Sequence, residues 1–202
     1  MLLKALVDPD YLRPRALLPY SLRELDFRAA LQDVYDFFFD VNTLLRSRGL
    51  ARLDETLRPE NMSGLVTDVL KSSMAKHSRT LVQNRFPNGH PDLVVGGVYA
   101  QDRVQAGEQG IEIKTTRKRG GAVDTHGARD QWLCVFVYSV DTATEPIDDR
   151  EPLMIREIYL AHVTPDDFRR NARGELGTRT ATLHRAGLAL LRANAVYLDP
   201  RW

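Results

Sequence analysis

Hydrophobic positions in the first eighty residues recur at the spacing of amphipathic helices. One such segment runs from Leu22 to about Arg48, with Ser21 as its N-terminal cap and Gly49 after its last turn. A second runs from about Glu60 to His77, where an apolar stripe opposes a polar face. The pattern therefore predicts two helices, preceded by an extended lead-in that contains three prolines.

The middle of the chain changes to the patterns of β-strands. Segments 92–99 and 109–116 are predicted strands joined by a polar loop, and the apolar runs at 133–141 and 153–163 are typical of buried strands. Thr164 is predicted to cap a short helix over "PDDFRRNAR". "GTRTATLH" is predicted as a last strand or turn, and "RAGLALLRANAVYL" as a helix with a terminal extension.

This order of elements predicts an α/β fold with a central mixed β-sheet flanked by helices. Residues 1–50 are the predicted N-terminal helical region and residues 51–202 the remainder, within one compact domain. The aromatic "YDFFFD" segment of the first helix indicates core packing or a dimer contact.

Composition narrows the class of protein. The chain has 202 residues and a net charge of +1, so its overall charge does not indicate nucleic-acid binding, although "TTRKRGG" is locally basic. One cysteine, Cys134, excludes an intrachain disulfide and a zinc site built on thiolates. The N-terminus lacks a signal-peptide pattern and no segment reaches the length of a membrane span, so we expect a cytoplasmic protein without a membrane partner.

The candidate chemistry lies on the two middle strands. Asp92 begins one strand directly after a proline, and Glu112 and Lys114, two residues apart, point to one face of the next strand. If the strands pair in antiparallel fashion, Asp92 lies near Glu112. Two carboxylates at the end of a sheet can bind Mg²⁺, and a nearby lysine can stabilise charge on a phosphate. The alternative is an exposed ion pair between Glu112 and Lys114 on an edge strand.

The pattern Pro91-Asp92 … Glu112-Ile113-Lys114 resembles the signature of the PD-(D/E)xK nuclease superfamily, which has the restriction-endonuclease-like fold. The resemblance covers about residues 60–140. It implies that Asp92 and Glu112 bind Mg²⁺, for which Mn²⁺ can substitute, with the backbone carbonyl of Ile113 as a further ligand. It also implies that Lys114 activates water.

The resemblance adds candidates outside the two strands. It implies a carboxylate from the preceding helix, for which Glu60 is the candidate and Asp68 the rival, and a polar residue on a following helix, Gln131. Residues of the basic loop, a glycine-flanked histidine and arginines of the C-terminal segment are predicted to contact DNA: Arg117, Lys118, Arg119, His126, Arg179 and Arg185.

The predicted function is that of a Mg²⁺-dependent DNA endonuclease, foremost a type II restriction enzyme that acts on double-stranded DNA. Such an enzyme is expected to be a homodimer with a cognate methyltransferase as its functional partner. Junction resolvases, repair nucleases and modification-dependent nucleases remain alternatives within the superfamily. An inactive DNA-binding module or a structural subunit of a defence complex is the alternative from another class. A small-molecule enzyme has little support because the chain has no glycine-rich phosphate loop.

Overall fold

A computed structural model describes residues 2–14, 18–170 and 180–202 of the chain. Its helices are α1 (Glu24–Ser47), α2 (Leu53–Thr56), α3 (Pro59–His77) and α4 (Arg185–Ala193). Its strands are β1 (Leu81–Gln83), β2 (Leu93–Val95), β3 (Gly110–Thr116), β4 (Asp124–Thr125), β5 (Gln131–Ser139), β6 (Met154–Val163), β7 (Phe168–Arg170), β8 (Ala181–Leu183) and β9 (Ala195–Leu198).

The central sheet has six strands in the order β1-β2-β3-β5-β6-β9. The pair β3–β5 is parallel and the other pairs are antiparallel, so the sheet is mixed. A second sheet, β4-β8-β7, has three short strands. The prediction of an α/β fold with a central mixed sheet flanked by helices is therefore confirmed.

The central sheet is covered on both faces, which explains the continuous apolar run in β5. Cys134 and Phe136 belong to the core that β3 shares with α1 and α3, whereas Leu133 and Val135 belong to a second core with α4 and the small sheet. Successive side chains of a strand point to opposite faces, so every second residue must suit a different core. A strand that is buried on both faces has no polar face, so its sequence does not alternate between apolar and polar residues.

The N-terminal region is part of the main core. Helix α1 buries Phe27, Leu31, Tyr35 and Phe38, and the Tyr35 hydroxyl accepts a hydrogen bond of 3.1 Å from the backbone N–H of Ile155 in β6. Most of the aromatic segment in α1 is therefore used for packing inside the chain. No helix in the described ranges is both long and apolar enough to cross a membrane.

Several local predictions were wrong. Ser21 lies in a 3-10 turn and Arg23 is the N-cap of α1, and the strand predicted over 92–99 covers only Leu93–Val95. After Thr164 the chain forms a single 3-10 turn (Pro165–Asp167) and then β7, because Phe168 is buried and pairs with Leu183 of β8. Gln131, expected on a helix after the lysine strand, is instead the first residue of β5. The segment after α4 is β9, an edge strand of the central sheet, and not an extension.

Candidate functional site

The two predicted carboxylates meet where β2 begins beside β3. Leu93 pairs with Ile111 in antiparallel register, so Asp92, one residue earlier, lies opposite Glu112. Oδ2 of Asp92 accepts a hydrogen bond of 2.9 Å from the backbone N–H of Ile113. The register and this bond bring Asp92 and Glu112 to one end of the sheet.

Glu112 is buried beside two groups that donate hydrogen bonds to it. Nζ of Lys114 lies 2.5 Å from Oε1 of Glu112, and Nδ1 of His90 donates to Oε2 at 2.9 Å. Burial by itself would raise the pKa of Glu112, but the hydrogen bond from His90 and the charge of Lys114 outweigh it and lower this pKa to about 2. Glu112 is therefore a carboxylate at neutral pH.

The pKa of Asp92 is shifted in the opposite direction. Burial disfavours its charged form, and the negative charge of Glu112 adds to this, so the pKa of Asp92 rises to about 6. Lys114 and the N–H of Ile113 act against the shift without cancelling it. Two carboxylates whose pKa values are driven apart are typical of functional sites.

Lys71 of α3 supplies a second ammonium group, and it was not among the site residues predicted from the sequence. Its Nζ lies 3.6 Å from Oδ1 of Asp92 and 2.8 Å from Oδ1 of Asp68. In the isolated chain the two lysines, Lys71 and Lys114, thus each face one of the two carboxylates. The only sign in the sequence was the position of Lys71 on the polar side of a helix, where lysines are common.

The donor atoms suit a hard cation with oxygen ligands. Asp92 and Glu112 offer carboxylate oxygens, and the register places Pro91 opposite Ile113. Because proline has no N–H, Pro91 cannot donate a hydrogen bond to the Ile113 carbonyl, so that oxygen is a candidate for a further ligand. The described residues contain no group of three or more His, Cys, Asp or Glu side chains arranged around one point. Two carboxylates with a carbonyl fit Mg²⁺ or Mn²⁺, which retain several waters, better than they fit zinc.

Asp92, Glu112 and Lys114 lie in a cleft of about 420 Å³. One side is formed by the consecutive residues 84–89, and Lys71 and His126 contribute from other elements. The full lining is Lys71, Gln83, Asn84, Arg85, Phe86, Pro87, Asn88, Gly89, Asp92, Glu112, Lys114 and His126. His126 is exposed and lines the cleft.

Neither candidate for a helix carboxylate lines the cleft. Glu60 is exposed in the first turn of α3, eleven residues before Lys71, which corresponds to roughly 16 Å along the helix axis. Asp68 is exposed and pairs with Lys71. The residue of α3 that lines the cleft beside Asp92 is instead a lysine, Lys71, whose Nζ lies 3.6 Å from Oδ1 of Asp92.

The basic loop leaves the other end of β3. Arg117 donates to the carbonyl of Val140 at 3.5 Å, and Arg119 donates to that of Trp202 at 2.5 Å. Lys118 is exposed. These three residues do not line the cleft, since five residues of extended chain, roughly 17 Å, separate Glu112 from Arg117.

Gln131 is not on a helix, contrary to the prediction. It is the first residue of β5 and is buried, with no hydrogen-bond partner for Oε1 among the described residues. Arg185 begins α4 and borders a separate hollow with Arg169 and Arg192. Arg179 lies outside the described residues.

Comparison of the sequence with protein-family models and with curated proteins found no match.

Proposed function

We propose that the chain is a metal-dependent DNA endonuclease, foremost of the type II restriction class, which hydrolyses phosphodiester bonds in double-stranded DNA. The proposal includes a homodimer and a cognate methyltransferase as functional partner. The observation that carries it is the convergence of Asp92, Glu112 and Lys114 in one cleft, with Lys114 held 2.5 Å from Glu112.

Each of these residues has a role that its position supports. Asp92 and Glu112, with the carbonyl of Ile113, would hold Mg²⁺, which when bound polarises the scissile phosphate. The hydrogen bond from the N–H of Ile113 fixes the orientation of Asp92, and His90 and Lys114 fix that of Glu112. The ammonium group of Lys114 is placed to stabilise negative charge that develops on phosphate oxygens during cleavage.

The cleft also favours a polyanion. Lys71, Arg85 and Lys114 line it against two carboxylates, and His126 adds a further donor at its edge. A bound divalent cation would increase the positive charge. A cleft with this excess of positive charge would attract an anionic nucleic-acid strand.

The test is digestion of plasmid and phage DNA by the purified protein in Mg²⁺ or in EDTA. We expect discrete fragments in Mg²⁺ and intact DNA in EDTA. Asp92→Asn and Lys114→Ala should each lower the cleavage rate by about a hundredfold or more, because each removes a group that acts on the reacting phosphate.

Asp40→Asn is the matched control, since Asp40 is exposed on α1 and does not line the cleft. Its cleavage rate should equal that of the wild type. Unmodified, methylated and branched DNA should all be tried, because the other nucleases of the superfamily differ in substrate. Intact DNA in every case would contradict the proposal.

An inactive DNA-binding module is the second candidate. The pairing of Lys71 with Asp92 and of Lys114 with Glu112 favours it, because each carboxylate already has an ammonium partner within the chain. Such a module would bind DNA equally well in Mg²⁺ and EDTA and would leave it uncut.

A further inference from the structure

Residues 84–89 form a wall of the cleft whose backbone is held by one half-buried amide group, that of Asn84. Nδ2 of Asn84 donates to the carbonyls of Pro91, at 3.0 Å, and Val104, at 2.8 Å. Oδ1 of Asn84 accepts from the N–H groups of Phe86, at 3.0 Å, and Val104, at 3.1 Å. An asparagine amide has two donor hydrogens and two acceptor positions, so all of its hydrogen-bonding capacity is used to hold this wall.

The wall is also attached directly to the candidate metal ligand. The backbone N–H of Asn84 donates to the carbonyl of Asp92 at 2.9 Å, and that of Arg85 donates to the carbonyl of Asp102 at 3.0 Å. At Gly89 a Cβ atom would lie 2.5 Å from both Nδ2 of Asn84 and the carbonyl oxygen of Val104, so only glycine fits this close approach. The wall and Asp92 are therefore fixed relative to each other.

Two side chains of this wall are positioned to meet a ligand. Arg85 and Asn88 are exposed and line the cleft. Among the described residues the guanidinium of Arg85 has no hydrogen-bond or ion-pair partner, whereas Arg150 and Arg156 are both paired with carboxylates. An exposed guanidinium without a partner adds little to the stability of the fold, so Arg85 is available to bind an anion in the cleft.

We propose that residues 84–89 are a preformed DNA-contact wall, and that Arg85 binds a backbone phosphate next to the one at Asp92 and Glu112. This inference rests on the proposed function, because it takes the substrate to be DNA. Arginine binds phosphate through several N–H groups in fixed geometry, which places the strand as well as attracting it. The attachment of the wall to Asp92 then sets the position of the strand relative to the two carboxylates.

The test measures binding separately from cleavage. A fluorescein-labelled duplex of mixed sequence, about 30 base pairs long, is titrated with protein in Ca²⁺ in place of Mg²⁺ between about 50 and 200 mM NaCl. Arg85→Ala should weaken binding about fivefold and reduce the slope of log K against log salt by about one, since one phosphate contact is lost. Arg79→Ala is the matched control: Arg79 is exposed just before β1 and does not line the cleft, so the slope should stay unchanged.

A second variant tests the rigidity of the wall. Asn84→Ala removes the four hydrogen bonds of the side chain while Arg85 remains. Hydrogen exchange of the backbone amides in residues 84–89 should become faster, and DNA binding should weaken although the charge is the same.

The outcomes separate this inference from the proposed function. If the wild type cuts DNA and Arg85→Ala has the same affinity and salt slope as the wild type, the wall is not a DNA contact and the nuclease proposal stands. If the wild type binds DNA without cutting it and Arg85→Ala still weakens binding, the role of residues 84–89 as a DNA contact is supported and the nuclease proposal fails. A wild type that neither binds nor cuts DNA overturns both.

Discussion

Asp92 and Glu112 face each other at one end of the sheet, yet their pKa values are shifted in opposite directions. Glu112 has His90 and Lys114 as donors and stays ionised, whereas Asp92 is buried beside the charge of Glu112. Ionising Asp92 in the folded chain is therefore unfavourable relative to the unfolded chain. A bound cation would remove this penalty, because it neutralises both carboxylates.

This difference predicts how stability depends on pH when no metal is bound. The folded chain holds the proton of Asp92 up to about pH 6, whereas the unfolded chain releases it near the ordinary value of 3.8. Stability from this group is therefore lost as the pH rises through this window. We expect Asp92→Asn to raise the free energy of unfolding by about 1–3 kcal/mol at pH 7.5 and by much less at pH 4.5.

Urea unfolding in EDTA at the two pH values measures this change in the free energy of unfolding. Asp40→Asn is the control for the loss of one exposed carboxylate. Equal effects of Asp92→Asn at both pH values would show that Asp92 does not titrate in this window. A lower stability of Asp92→Asn at pH 7.5 would show that its contacts with Lys71 and Ile113 outweigh the cost of burial.

At the scale of elements, the site depends on the register between β2 and β3. Gly110 begins β3, and a Cβ atom there would lie 1.9 Å from the carbonyl oxygen of Leu93, a backbone atom of the paired strand. A side chain at this position would push the strands apart. Since Asp92 follows directly from this pairing, its position opposite Glu112 would be lost as well.

We therefore expect Gly110→Ala to lower the free energy of unfolding by about 2–4 kcal/mol and to abolish cleavage. Gly64→Ala is the matched control, because Gly64 lies inside α3 with nothing within 4 Å of its Cβ position. It should stabilise the chain by about 0.5–1 kcal/mol through helix propensity. Thermal or urea unfolding of both variants checks the pair, and a Gly110→Ala protein as stable as the wild type would disprove the close contact.

At the scale of the whole molecule, the exposed apolar side chains are unevenly distributed. Of the seven large hydrophobic residues that are exposed in the described ranges, five lie within the first fifty positions: Leu3, Leu6, Leu25, Leu44 and Leu50. The described residues of one chain carry one candidate site, and under the proposed function cutting both strands of a duplex usually needs two. The N-terminal region therefore remains the predicted dimer contact.

We expect light scattering to give twice the mass of one chain, and plasmid digestion to give linear DNA without accumulation of nicked circles. Leu25→Glu combined with Leu44→Glu should shift the protein to the monomer and slow the second cut. Leu190→Glu, at an exposed apolar residue of α4, is the control and should leave the dimer intact. A monomeric wild type would contradict the predicted dimer.

Much of the fold was predictable because its signals are local. The 3.6-residue period of α1 and α3 and the apolar runs of β5 and β6 each follow from a few neighbouring residues. The predictions failed where pairing at a distance decides the structure. Phe168 was assigned to a helix and lies in a strand, because β8 supplies hydrogen bonds and a buried surface that a local pattern does not contain.

For the candidate site, the sequence by itself determined the alternation that puts Glu112 and Lys114 on one face of β3, and the proline that precedes Asp92. Only the tertiary structure decided which other side chains join them. The close approach of α3 brought Lys71 to Asp92, and the hydrogen bonds of Asn84 placed Arg85 in the cleft. The physical reason is that strand alternation is a property of the local backbone, whereas contacts between elements depend on packing and hydrogen bonds between residues far apart in the chain.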